Sequence, residues 1–420
     1  MRPVIIVDGY STGRELLNML ILLDTPCLHL RSVAEPPSVL ARSFDPRGYL
    51  EDLGHLGVPV EAAATLRDRN PAAVVAGSEP GVTYAEQLAD QLGLPTNDMH
   101  QAECRRDKFV MTRTIADHGL HAASQILLRD KAEAECWAGK IARWPIVLKP
   151  IDSAGSDGVT ICHSYDDIGY AADRIFDKTN LLGFTNRKLV AQSFLDGQQF
   201  IVNTVSKDSL HTVTDVWYMN VRPVPGFANA MQDFVLADPN APEIAELIAY
   251  TKKAITALGI RNGAAHSELK LTKEGPALIE TGARLMGPTI EASPYLAAGL
   301  PGTQASALAH SLVAPDRLVE DYRAERCYCY RKAIAKSFFI FKGQGTVRST
   351  KGLERLKSLP SFHSMHRPLL EGDEVRLTAD TVGRGGVVYL VHDRPEQIDQ
   401  DRSLIRKWDD DNQLYEVDYH

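Results

Sequence analysis

The segment from Pro145 to Cys162 constrains this chain most: a β-branched run ends in Lys149, six small or polar residues come at 153–158, and a second β-branched run closes it. That order predicts strand, loop, strand. Lys149 leaves the first strand as a point charge. Ser153, Ala154, Gly155, Ser156, Asp157 and Gly158 form a loop whose backbone N–H groups can approach phosphate oxygens with little Cβ interference. An ordinary hairpin with a solvated lysine has the same local pattern, and this segment alone does not separate the two readings.

A second segment adds chemistry. His266 to Thr272 alternates so that His266, Glu268 and Lys270 share one strand face; Glu274 and Gly275 supply a turn, and Ala277 to Glu280 returns as a second strand. Pairing across that turn brings Glu268 and Glu280 to neighbouring positions. Two carboxylates held together in a sheet repel unless a cation sits between them. Hard oxygen ligands, few in number and near a phosphate loop, favour Mg²⁺ shared with a nucleotide, with Mn²⁺ as the alternative. Arg284, four residues on, adds a fork-shaped donor for a phosphoryl or carboxylate oxygen. A solvated hairpin carrying an ion pair is the competing reading of the two glutamates.

Taken jointly, Lys108 after Asp107, Lys149 before Pro150, the Ser153–Gly158 loop and the Glu268, Glu280, Arg284 set resemble the ATP-grasp superfamily in order and spacing. Leu189 to Phe200 looks like the linker strand that grips adenine, with Gln192, Ser193, Phe194, Leu195 and Gln199 as nucleotide contacts. Gly77 to Val82 and Leu92 to Asn97 look like the domain that precedes the core in carboxylate–amine ligases. The resemblance covers roughly three quarters of the chain. It is closest to the L-amino-acid ligases, which make dipeptides or related amides, often in antibiotic pathways. Three positions depart from the wider pattern. Gln192 and Gln199 stand where acidic residues are common, and Gly282 stands where an asparagine often helps to hold metal.

The resemblance implies ATP as cosubstrate and an acylphosphate attacked by an amine, with release of ADP and phosphate. Lys108, Lys149 and the loop would hold phosphates, and Glu268 and Glu280 the metal. Arg284 would stabilise charge on the reacting carboxyl, and His266 would help to deprotonate the amine. The loop should act as a lid, since an exposed acylphosphate hydrolyses. Met286, Gly287 and Pro288 are expected in the substrate wall, with Trp217, Tyr218 and Arg222 as further candidates. Two other classes stay open: an ATP-grasp carboxylase acting on a small metabolite, and a non-catalytic nucleotide-sensing module.

Organisation along the chain predicts an α/β and α+β protein. Residues 1–105 read as an N-terminal open parallel α/β domain, with strands Val4–Val7, Pro26–Leu30 and Ala73–Ala76. Its Gly9-to-Gly13 turn lacks the glycine spacing of a dinucleotide fingerprint. Residues 106–188 would carry the lysines and the loop, 189–324 the adenine linker and the metal hairpin, and 325–420 a small α+β cap with strands Arg331–Phe341, Glu374–Thr378 and Gly386–Val391.

A formal net charge of −8 over 420 residues argues against nucleic acid as the main partner. No apolar run approaches the roughly twenty residues that cross a bilayer, so the cytoplasm and small-molecule partners, a carboxylate and an amine of the amino-acid kind, are the expectation. A homodimer fits the resemblance, although no apolar stripe demands one. The six cysteines show no Cys-x-x-Cys spacing and are expected as reduced thiols.

Overall fold

The computed structural model describes residues 2–141, 144–224, 230–287, 291–322, 325–378 and 384–420. The N-terminal sheet is parallel, in the order Glu51–Asp52, Cys27–Leu30, Val4–Val7, Ala73–Ala76. Its central strand is buried on both faces. Ile5 and Val7 pack with Ala62, Leu66 and Leu88, whereas Val4 and Ile6 join the main core of the molecule. Such double coverage explains the unbroken Val-Ile-Ile-Val run, since a parallel strand covered on both sides has no polar face.

Residues beyond Asp107 build two sheets that face one another across a cleft. The smaller is antiparallel, in the order Gln125–Leu128, Leu189–Ser193, Ile146–Pro150, Thr160–Cys162. Ala134 and Ala138 of helix Lys131–Ile141 and Ile168 and Ala171 of helix Tyr165–Ile175 fill its back. The larger sheet has eight strands, in the order Gly275–Gly282, Gly263–Thr272, Gln198–Lys207, Leu210–Arg222, Ala230–Leu236, Ala333–Ile340, Arg384–His392, Phe362–His366. Helix Pro242–Ala257 buttresses the first hairpin of that sheet, where the Tyr250 hydroxyl accepts from Leu278 N and donates to His121 O.

Two features depart from expectation in the C-terminal quarter. The large sheet runs straight through residue 325, because Ala333–Ile340 pairs with Ala230–Leu236 on one side and with Arg384–His392 on the other. Residues beyond it also form helix Pro395–Asp410 and a three-stranded sheet of Glu374–Val375, Gly345–Ser349 and Glu416–Tyr419. That helix was hidden because it buries only Ile398, Asp401 and Ile405, too narrow a stripe to stand out in so charged a segment. Cys327 and Cys329 lie outside the strands apart from a single bridge between Cys327 and Val213. All six cysteines are free thiols.

Candidate active site

The cleft between the small and large sheets collects residues from distant parts of the chain. Asp107 caps helix Lys108–Asp117, accepting from the N–H groups of Phe109 and Val110. Lys108 is thereby fixed in the first turn, and its own N–H donates to Ile151 O at the end of the lysine strand. The Lys108 ammonium lies 2.6 Å from Ser153 O and 3.1 Å from Glu280 Oε2. Lys149 comes from the facing strand end, is buried, and its side chain makes no hydrogen bond among the described residues, leaving its ammonium to the cleft. Burial pushes its pKa down to about 8, with Lys108 pushing the same way and Glu280 and Glu268 opposing.

Glu268 and Glu280 are direct cross-strand partners, with a bulge at Ile279 immediately after the pair. Burial alone would raise the Glu280 pKa, but Lys108 and Lys149 hold it below the ordinary carboxylate value. Glu268 Oε2 accepts from the Gln199 amide at 3.0 Å. This donor set fits a divalent cation of the Mg²⁺ kind in part: two hard carboxylates side by side. No group of three or more His, Cys, Asp or Glu that could hold a metal occurs among the described residues. The remaining ligands would therefore have to be phosphate oxygens and water, as Mg²⁺ tolerates.

The loop over this pair is tied down from within. Asp157 Oδ2 accepts both the Ser153 hydroxyl and Leu181 N, at 2.8 and 2.7 Å. Gly155 and Ser156 adopt left-handed backbone, at φ 65° and 66°. Gly158 does not line the cleft. A Cβ there would come within 2.9 Å of Pro150, so its role is to let the loop close against the lysine strand.

The cleft, about 1000 Å³, is also lined by Gln192, Ser193, Phe194, Leu195 and Gln199 from the connecting segment. Gln192 is committed elsewhere, its amide donating to Thr112 and Gln125. Apolar walls come from Val147, Ile161, Met219, Val221, Met231 and Ile279, none of which stood out in the sequence. Strand patterning marks such residues as apolar, but which of them face a ligand depends on pairing between segments far apart in the chain.

A second cavity of about 1440 Å³ joins the first through Ala154, Ser156, Met231, Glu268 and Glu280. His266, Arg284, Met286 and Gly287 line it as expected; Pro288 lies outside the described residues. The other expected wall residues are elsewhere. Trp217 is fully buried beneath the Lys336 ammonium, Tyr218 packs on Phe200, and Arg222 pairs with Asp410.

Arg284 is not a free donor. Its Nε binds Glu79 Oε2 at 2.7 Å and its Nη1 binds Leu285 O. Glu79 also pairs with Arg106; although burial opposes ionisation, Arg284, Arg106 and Lys108 hold its pKa at about 2. The carboxylate thus stays charged and aims the Arg284 guanidinium. Gly282 makes room for this pair, since a Cβ there would lie 3.0 Å from Glu79 Oε2 and 3.1 Å from Arg284 Cζ. Glu79 sits inside a recognised segment, yet only the folded chain reveals its partner 205 residues away.

His266 is also oriented. The Asn203 amide nitrogen donates to the buried Asp215 carboxylate at 2.5 Å, so its oxygen, 2.9 Å from His266 Nδ1, is left to accept. That hydrogen-bond pattern makes Nδ1 the donor and turns Nε2 toward Glu268 Oε1, 3.6 Å away.

Comparison with known proteins accords with this geometry. A sequence model of the ATP-grasp domain matches residues 142–292. Dapdiamide A synthase of Enterobacter agglomerans is 30% identical over 412 residues, covering 96% of this chain and 95% of that protein. The L-arginine-specific L-amino acid ligase of Bacillus subtilis is 22% identical over 209 residues, covering 49% of each chain. The crystal structure of an L-amino acid ligase from Bacillus licheniformis superposes with a TM-score of 0.73 at 18% identity, covering 100% of this chain and 99% of that one. The chain belongs to the ATP-grasp family, as an ATP-dependent ligase of the ADP-forming, C–N bond-making kind.

Proposed function

We propose that this enzyme activates a small carboxylate as an acylphosphate and joins it to the amino group of a second substrate, the pair being amino acids or amino-acid derivatives. One observation carries the reading. The cleft that gathers Lys108, Lys149 and the Ser153–Gly158 loop opens into a second cavity at Glu268 and Glu280. Nucleotide phosphates held by the lysines would therefore end where a second molecule can reach them.

Adenine would lie against Phe194, Leu195 and the methionine-rich wall, with Gln199 near the ribose. Lys149 and Lys108 would neutralise the phosphates, and Glu268 and Glu280 would hold Mg²⁺, or Mn²⁺, against them. When bound, that cation disperses charge on the transferring phosphoryl group. Arg284, kept in place by Glu79, would bind the carboxyl oxygens as the carboxylate attacks the γ-phosphorus in line. His266 Nε2 would accept the proton that the attacking amine must lose. The loop, anchored through Asp157, would keep water from the acylphosphate.

The names of two relatives, a dapdiamide synthase and an arginine-specific amino-acid ligase, support the substrate class and a place in natural-product or amino-acid metabolism. The test is ADP release over a matrix of amino acids and carboxylic acids, with products identified by mass. One amide product per ADP is expected. ADP formed with bicarbonate alone would move the enzyme to the carboxylases, and ATP bound without turnover on any pair would leave a sensor.

A further inference from the structure

The second cavity extends well beyond the phosphate end, to the carboxyl edge of the parallel sheet. Strand Val4–Val7 lies between Cys27–Leu30 and Ala73–Ala76, so the chain order reverses beside it. Connections leaving two such strands diverge and open a crevice where open α/β sheets bind ligands. Ser11 and Thr12 line the cavity from the first connection, Ser78 and Glu79 from the second. Thr12 is only 4% exposed and its hydroxyl makes no hydrogen bond among the described residues.

Arg367 meets this crevice from the C-terminal part of the chain. It directly follows strand Phe362–His366 in left-handed backbone, φ 49°, and its carbonyl packs on Gly386, where a Cβ would come within 2.7 Å. Arg367 lines the cavity at its exposed rim, and its side chain forms no ion pair or hydrogen bond among the described residues. Nearby acids are otherwise engaged. Glu79 is held by Arg106 and Arg284, and Glu291 pairs with His366. Glu15 is close enough to feel Arg367 but does not pair with it, and burial raises its pKa. An unpaired guanidinium at the exposed rim and a hydroxyl with no hydrogen-bond partner among the described residues therefore line the same cavity, which also reaches the carboxylate pair at the phosphate end.

We propose that Arg367 and Thr12 form a subsite for a second carboxylate, one carried by a substrate in addition to the carboxyl that is activated. This rests on the ligase reading and narrows its substrate class. One of the two substrates must then be either an amine bearing a free carboxylate, as an unblocked α-amino acid does, or a dicarboxylic acyl donor. A guanidinium fork matches a carboxylate geometrically, and the hydroxyl adds a third donor.

The experiment compares the wild type with Arg367→Ala, Arg367→Lys and Thr12→Val. Ligation is assayed with L-amino acids and their C-terminal amides as amines, and with succinate and its monoamide as donors. Loss of a charge-assisted hydrogen bond predicts a KM about 10- to 100-fold higher in Arg367→Ala for the acid form. The amide form and ATP should be unaffected, and Arg367→Lys should recover part of the loss. Whichever acid–amide pair shows the difference identifies the substrate that carries the handle. Thermal shift with the same compounds reads the subsite even if no pair is ligated, so failure of the ligase reading is separable. Equal treatment of acids and amides by wild type and Arg367→Ala, in both assays, overturns the proposal.

Discussion

Lys149 and Glu280 show how a charge acquires its role from its surroundings. The lysine is buried with no bonded partner and its pKa lies at about 8, well below that of an exposed lysine. In the proposed role, phosphates bind its ammonium form. ATP binding should therefore be full below pH 8 and weaken as the pH rises through that value, because the free enzyme then holds less of the proton that the complex needs. Titration calorimetry across pH 6.5 to 9.5 in buffers of different ionisation enthalpy would show proton uptake on the alkaline side; pH-independent binding would contradict it. Lys149→Ala should lower kcat/KM for ATP by about 10- to 100-fold. Lys140→Ala, on helix Lys131–Ile141 away from the cleft, should leave it unchanged. Glu280→Gln should retain the fold and reduce ligation by about 100-fold or more, since one anionic oxygen is lost beside the transferring phosphate. Near-normal turnover at saturating Mg²⁺ would remove Glu280 from that role.

At the scale of elements, the loop between the lysine strand and Thr160–Cys162 is tied through Asp157, which binds Ser153 and Leu181 together. Asp157→Ala should leave ATP consumption in place while letting water compete for the acylphosphate. ADP formed per amide should rise several-fold above one. An unchanged ratio would mean that the loop does not serve as the barrier. Gly158→Ala should cost about 1–2 kcal/mol from left-handed backbone alone, and more from contact with Pro150, as read by chemical denaturation. Most of these elements were legible in the sequence: the lysine strand, the small-residue loop and the glutamate hairpin all form where alternation and turn residues put them. Side-chain commitments were not. Nothing in the local pattern around Arg284 announces Glu79, and Asp157 reads as a phosphate-loop residue until Leu181 is seen beside it.

For the whole molecule, the sequence conveyed three α/β and α+β units and a separate small cap, whereas the sheet that carries the glutamates also carries the strands after residue 330. Long-range antiparallel pairing leaves no mark in local periodicity, so this continuity appears only in the folded chain. Its consequence is that a chain ending at residue 324 should not fold stably. Strand Ala230–Leu236 would lose one of its two partners, and Phe234 would lose Phe338, 5.1 Å away between ring centroids. Circular dichroism and a denaturation curve of that truncation would show a non-cooperative species, and a cooperative transition matching that of the full chain would contradict it. The same continuity brings Arg367 to the cavity lined by N-terminal and central residues, as the proposed carboxylate subsite requires. The central claim is that phosphoryl transfer to a carboxylate precedes amide formation, and hydroxylamine trapping tests it most directly. With ATP, Mg²⁺ and the cognate carboxylate but no amine, a hydroxamate should accumulate in step with ADP; AMP and pyrophosphate as the stoichiometric products would contradict it.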